Sequence, residues 1–343
     1  MKIRCEPFQL KCVLTKKEVQ QKNRREAQQG FALLTVLMIV ALVAMMGSQL
    51  MYDQYTNIKR SSHMMHQAQS HAVQWGVESW VKTGLKLDQD NNDFDALTEQ
   101  WAEPFGPIPY EGGDISARLL DLNSRLNLNN VLAEKQSERK VWRAVLKRYA
   151  TQNGLNERFS SLVIDWVDAD DTPLADGAES NVYLLLKPAY SAANQPMAVL
   201  NELKLLDGLQ RIEADVWQVL QKDLIALPKV SPINVNTAER RVLMALADWL
   251  DEGVVSAWEA ERLSEPAKKL DDFITFLVNA TSLRSADIKK DLPSWMVGVK
   301  SQYFLLHTQV DYGDSEQAMS AIFFRDDDNK NEIRLVQRWL SAE

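Results

Sequence analysis

Between Asp165 and Glu179 the chain places six carboxylates in fifteen residues: Asp165, Asp168, Asp170, Asp171, Asp176 and Glu179. The stretch contains neither His nor Cys, so its donors are all hard oxygens. Hard cations such as Ca²⁺ take six to eight such ligands from carboxylates and carbonyls. Without a cation, carboxylates this crowded would repel one another. The spacing is not that of an EF-hand, which needs a D-x-D-x-D-G run and a Glu at position twelve. Pro173 and Gly177 favour a tight loop that turns carbonyls inward. A solvated acidic loop whose Asp residues cap helices is the competing reading, and composition leaves both open.

Other reactive residue types are sparse. His63, His66 and His71 have no Cys or acidic partner nearby, so a solvated helix surface accounts for them better than a zinc site. Only His307 lies elsewhere, and there is no G-x-S-x-G, Cys/His pair or phosphate loop. No catalytic residue is assigned, and an enzyme is not expected. The ten Trp residues suit core and interface anchors. Residues 1–30 carry eight Lys/Arg and three Glu, so the net charge of −8 divides into +5 there and −13 beyond. An acidic body does not favour nucleic acid. Cys5 and Cys12 both precede Gly30, leaving the rest without a thiol. An extracytoplasmic body would then draw its stability from core burial or a metal rather than disulfides.

The loop must be held by the elements around it. From 123 to about 290 the patterns are helical, over 137–149, 157–167, 198–205, 211–220, 238–250 and 270–277. Before this block, 111–121 reads as a turn and a strand. After it, 301–310, 316–325 and 332–340 read as three strands, with 326–331 a solvated hairpin tip. Upstream, apolar residues recur at three- and four-residue steps from Met65 to Val81, predicting a long helix ending near Gly84 and an Asn/Asp-rich loop over 88–95. The fold class is α+β: a long helix on an antiparallel sheet, with a large all-α insertion. Leu126-Asn127-Leu128-Asn129-Asn130-Val131-Leu132 resembles Ile233-Asn234-Val235-Asn236-Thr237-Ala238, 107 residues later. The second copy is similar to a segment of helix-hairpin-helix (SAM-like) modules, in which an Asn or Thr side chain caps the next helix.

Residues 31–51 have no charge and are long enough to span a bilayer. Arg24 and Arg25 precede them, which places the N-terminus in the cytoplasm and the body outside. A plain one-pass anchor is one reading. The junction Gly30-Phe31 resembles a type IV prepilin signal. That resemblance implies cleavage by a prepilin peptidase between Gly30 and Phe31, N-methylation of Phe31, and a helix kept as anchor and filament surface. Such signals usually carry Glu at the fifth mature position, where this chain has Thr35. The Glu pairs with the terminal ammonium of a neighbouring subunit, so a chain without it fits the filament end.

Several motifs then coincide in order: Trp101-Ala102-Glu103-Pro104, Asp121-Leu122-Asn123-Ser124-Arg125-Leu126-Asn127-Leu128-Asn129, Asp165-Trp166-Val167-Asp168-Ala169-Asp170-Asp171, Gly177-Ala178-Glu179 with Tyr183, Pro188-Ala189-Tyr190, Ala192-Ala193-Asn194, Leu200-Asn201-Glu202-Leu203 and Ile233-Asn234-Val235-Asn236-Thr237-Ala238. Together they resemble the protein K family of minor pseudopilins of type II secretion systems. The resemblance implies a type IV pilin-like fold with two SAM-like subdomains. Its layout would be a leader over 1–30, a transmembrane part over 31–51, stem helix and first strand over 52–122, the insertion over 123–294 and terminal strands over 295–343. It implies an inner-membrane protein with a periplasmic body at the pseudopilus tip. The implied partners are minor pseudopilins I, J and H and the major pseudopilin filament, in support of exoprotein export. It also implies structural Ca²⁺ at Asp165, Asp168, Asp170, Asp171 and Glu179, with Asp176 weaker. A DNA-binding minor pilin of a competence pilus is the alternative, but Gly208 is followed by Leu209 and Gln210 rather than a Gly-x-Gly hairpin. A membrane-tethered Ca²⁺-dependent hydrolase is a third, with no base–nucleophile pair to support it.

Overall fold

The computed structural model describes residues 8–313, 315–326 and 332–341, with side chains over 31–313, 315–326 and 332–340. The chain divides into two units, Met1–Ala68 and Gln69–Glu343. Helix α1 (Phe8–Asn91) supplies the described part of the first unit and the opening of the second. The predicted hairpin tip at 327–331 lies outside the described residues.

In the first unit the helix presents its apolar side chains outward. Phe31 is 72% exposed and Met45 75%. An 18-residue window of this helix reaches a mean hydropathy of 2.5, so by length and composition it can cross a membrane. Thr35 donates its hydroxyl to the Ala32 carbonyl at 2.8 Å, so this polar group is satisfied within its own helix.

In the second unit α1 continues to Asn91 rather than ending near Gly84. Gly84 has no neighbour within 4 Å of a would-be Cβ, so it sits on the open side of the helix, where a glycine costs only about 1 kcal/mol. The buried stripe Val77, Val81 and Leu85 continues one more turn to Gln89, which carries the helix past it. Part of the predicted loop over 88–95 is therefore helical.

The strands β1 (Phe105–Tyr110) and β2 (Gly113–Asp121) form a hairpin. A helical segment follows: β3 (Leu126–Asn127), α2 (Gln136–Gln152), α3 (Phe159–Val167), α4 (Ser180–Tyr183), α5 (Ala214–Asp223), β4 (Leu224–Ile225), β5 (Ile233–Asn234), α6 (Arg240–Leu246), α7 (Glu252–Glu261), α8 (Leu270–Thr281), α9 (Ser285–Asp291) and β6 (Val297–Gly298). The strands β7 (Tyr303–Tyr312), β8 (Ser315–Arg325) and β9 (Ile333–Ser341) close the chain. The five-stranded sheet runs β1-β2-β7-β8-β9, antiparallel throughout. Since β2 pairs directly with β7, everything between them is inserted between adjacent strands.

Strand periodicity explains the cores. Phe304, Leu306 and Val310 point to the stem and meet Val77, Val81, Leu85, Ile115, Leu119 and Phe323. Tyr303 and Leu305 point the other way, onto Leu122, Leu227, Ile322 and Phe324. Each fully buried Leu or Phe contributes about 1.5–3 kcal/mol of transfer free energy. A polar lattice ties the insertion to this sheet. Buried Arg325 pairs with Asp95 and, at 3.0 Å, with Asp88. Asp121 accepts from Ser301 Oγ at 2.6 Å, Asn234 Nδ2 at 3.2 Å and the Thr237 hydroxyl.

Several expectations are corrected. The segment 198–205 forms only a 3-10 turn over Leu200–Leu205, and 238–250 shortens to α6. Helices α7 and α9 and strand β1 went unpredicted. Pro107 and Pro109 hide β1, yet proline is tolerated on an edge strand such as this. Thr237 does not cap α6; its hydroxyl donates to Asp121, and Glu239 takes the cap position without a side-chain bond to the helix N-terminus.

Candidate metal centre

Helix α3 ends at Val167, and Asp168 follows as its C-cap in extended conformation. This turns the chain away from the helix and starts the acidic loop. One carboxylate oxygen from each of Asp168, Asp170 and Glu179 falls within 4.8 Å of the others. Glu179, at the N-cap of α4, is only 1% exposed, and neither of its oxygens has a hydrogen-bond partner among the described residues. Asp168 Oδ1 is likewise buried without a partner, while Oδ2 lies 3.5 Å from Arg143 Nη2. Burying an unpaired carboxylate costs several kcal/mol unless it is neutralised or ligates a cation.

The electrostatics agree. Burial, and then the charges of Asp165, Asp168, Asp171 and Asp170, push the Glu179 carboxyl up to about 7. Burial and the Asp168 charge push Asp165 up to about 6. Asp168 is raised by burial and by Asp170, against the pull of Arg143. A bound divalent cation would reverse all three effects.

The remaining acidic residues lie outside that three-residue cluster. Asp165 is fully buried and accepts from the Leu174 N–H with both oxygens, at 3.2 and 3.1 Å, which folds the loop back on α3. Gly177 makes this approach possible, because a Cβ there would sit 1.8 Å from Asp165 Oδ2. Asp171 is exposed and accepts from Asn194 Nδ2 at 3.0 Å. Asp176 is exposed with φ +65°, and its carbonyl accepts from Arg158 Nε at 2.9 Å; its carboxylate lies outside the three-residue cluster.

The sequence marks Asn194 only within the motif Ala192-Ala193-Asn194 and assigns it no part in the site. It adopts φ +47°, rare outside glycine but tolerated by Asn. Its N–H donates to the Trp166 carbonyl at 3.0 Å, and Nδ2 donates to the Asp170 carbonyl at 3.3 Å and to Asp171. Its Oδ1 is buried and unpartnered. The donors left over are thus carboxylate and amide oxygens, with no imidazole or thiolate, a set that suits Ca²⁺ or Mg²⁺ rather than zinc. A purely solvated loop fits Asp170, Asp171 and Asp176, but not Glu179.

Elsewhere, His63 Nε2 lies 3.0 Å from Gln67 Nε2 on the exposed helix. His307 Nδ1 is 2.7 Å from Ser320 Oγ, but burial and then the charges of Arg125 and Arg118 lower its pKa. A catalytic triad needs a carboxylate in that position.

Two family models described as "Type II secretion system (T2SS), protein K" match residues 124–229 and 233–295. The type II secretion system protein K of Pseudomonas aeruginosa is 32% identical over 325 residues, covering 92% of this chain and 93% of that protein. That of Pectobacterium carotovorum is 28% identical, covering 85% and 91%. Among solved structures, the GspK-GspI-GspJ complex of enterotoxigenic Escherichia coli contains a chain similar in fold. Its TM-score is 0.70 at 22% identity, over 83% of this chain and all of that one. That likeness shows a shared α+β fold, with a long N-terminal helix and an antiparallel sheet. The chain belongs to the type II secretion system protein K family.

Proposed function

We propose that this chain is a minor pseudopilin at the tip of a type II secretion pseudopilus, and not an enzyme. Its periplasmic body stands on a single inner-membrane helix with a cytoplasmic leader that prepilin peptidase removes at Gly30-Phe31. The observation that carries the tip position is Thr35. Where a filament subunit would offer a carboxylate to the subunit ahead, this helix offers a hydroxyl already bonded to Ala32. The partners are minor pseudopilins I and J, by analogy with the complex named above, with H and the major pseudopilin below and no nucleic acid. Together they prime filament assembly and support exoprotein export.

The second part of the reading is a structural Ca²⁺ held by Asp168, Asp170 and Glu179. The unpartnered oxygens of Glu179 support it. The ion would supply charge neutralisation and cross-linking of the loop, with Asp165 and Gly177 positioning the backbone. Deleting the gene tests the first part: exoproteins should accumulate inside the cells while growth is unchanged, and secretion should return with the intact gene. Normal secretion in the deletant would remove the proposal.

A further inference from the structure

The likeness between 126–130 and 233–237 extends in three dimensions to two whole units. Each opens on a short strand that a later short strand pairs in parallel, β3 with β4 and β5 with β6. In each, the first Asn accepts from the backbone of the second: Asn127 Oδ1 from Asn129 N at 3.1 Å, Asn234 Oδ1 from Asn236 N at 3.0 Å. The second Asn then clamps both backbone groups of one distant residue. Asn129 accepts from Met197 N and donates to Met197 O, both at 2.9 Å. Asn236 does the same to Ala267, again at 2.9 Å for both bonds. The two N–H groups after each clamped residue donate to one carboxylate oxygen. Ala198 and Val199 meet Glu202 Oε1, and Lys268 and Lys269 meet Asp272 Oδ2. A buried Trp lies in the last turn of α3 and of α7, namely Trp166 and Trp258.

The units differ in one stretch. From Trp166 to Met197 is 31 residues, and from Trp258 to Ala267 is nine. The surplus holds α4, Asn194 and every carboxylate of the acidic loop except Asp165. The aromatic cover differs in step with it. Tyr183 and Tyr190, both from the surplus, lie 5.2 and 6.3 Å from Trp166. Over Trp258 lie Phe273 and Phe276 of α8, at 4.8 and 5.1 Å. Counted from the clamped residues, those positions are Leu203 and Leu206 in the first unit.

We infer that residues 167–196 are a strap inserted into the first of two equivalent helical units, and that the cation clasps this strap over Trp166 instead of holding the units together. The inference rests on the cation reading above for the clasp, and on geometry alone for the strap. Asp168 and Asp170 stand where the strap leaves α3, Glu179 stands midway, and Asn194 stands where it returns. An ion there joins the exit of the strap to its middle, Asn194 ties the return to the exit through the Trp166 and Asp170 carbonyls, and the tyrosines cover the indole. None of these residues belongs to the Asn129 clamp, the Glu202 cap or the β3–β4 pair. Losing the ion leaves mutually repelling carboxylates in the strap, which lifts and uncovers Trp166, Tyr183 and Tyr190. The second unit, covered by its own phenylalanines, is unaffected.

Hydrogen exchange on the detergent-solubilised full chain, with CaCl₂ or with EGTA, tests the clasp. Faster exchange in EGTA is expected within 167–196 only, with 126–152 and 233–281 unchanged. Faster exchange through 126–152 or 233–281 as well would overturn it, and no response to calcium at all would sink the cation reading. A second variant tests the strap without any metal. It replaces 167–196 by the eight residues 259–266 and carries Leu203→Phe and Leu206→Phe. It should melt cooperatively and indifferently to calcium, with 233–281 as protected as in the parent. A variant that cannot fold would overturn the insertion itself.

Discussion

Replacing Glu179 by Gln should have opposite effects with and without calcium. In the metal-free chain this carboxyl titrates at about 7 against an ordinary 4.5, raised first by burial and then by its acidic neighbours. A carboxyl raised on folding binds its proton more tightly in the native state, so metal-free stability falls as pH rises from about 4.5 through 7. At 1.36 kcal/mol per pH unit the shift is worth ~3 kcal/mol; halving it for solvent screening leaves about 1.5 kcal/mol. Gln removes the charge at nearly constant shape. In EGTA at pH 7.5, Glu179→Gln should therefore stabilise the chain by about 1.5 kcal/mol, or roughly 3–6 °C in melting temperature. At pH 4.5 the difference should vanish. In calcium the order reverses, because the parent gains a ligand the variant lacks. Thermal melts of the detergent-solubilised chain at both pH values, with EGTA or CaCl₂, read all four conditions. A variant that melts below the parent in EGTA at pH 7.5, or that keeps the parent's full calcium response, would refute the reasoning.

Three other substitutions probe the scaffold. Gly177→Ala puts a methyl into the Asp165 carboxylate and should destabilise the chain by about 1–3 kcal/mol in a melt, with a weaker calcium response. Arg325→Met leaves Asp95 and Asp88 buried without their cation and should cost about 3–5 kcal/mol near neutral pH, recovering partly in acid as those carboxyls protonate. Asn236→Ala leaves the Ala267 amide and carbonyl unpaired; about 2–4 kcal/mol should be lost, measured by denaturant melts, and Asn129→Ala should match it if the two units are equivalent.

The sequence displays some of this openly and hides the rest for identifiable reasons. The stem is legible because Val77 and Val81 repeat at helical spacing on one face. The last three strands are legible because β-branched and aromatic residues run between polar turns. In β7 the run Tyr303-Phe304-Leu305-Leu306 lacks alternation because both faces are covered, one by the stem and one by the insertion. The acidic loop announces itself by density, but density says nothing of which carboxylate is buried. Glu179 differs from Asp176 only in where the chain turns, set by Gly177 beneath Asp165. Asn194 lies fifteen residues beyond Glu179, and its motif Ala192-Ala193-Asn194 gives no hint of a role at the site beyond tolerance of a left-handed backbone. The repeat is visible only as two short echoes, 126–132 and 233–238, since what the units share is mostly backbone clamped by Asn side chains.

The account stands most directly on how the chain begins its mature life. The N-terminal peptide should be sequenced by mass spectrometry from cells with and without prepilin peptidase. An N-methylated Phe31 at the N-terminus, appearing only when the peptidase is present, is the predicted result. A chain that keeps residues 1–30 in both strains would make the apolar helix a plain anchor and contradict the placement in a pseudopilus.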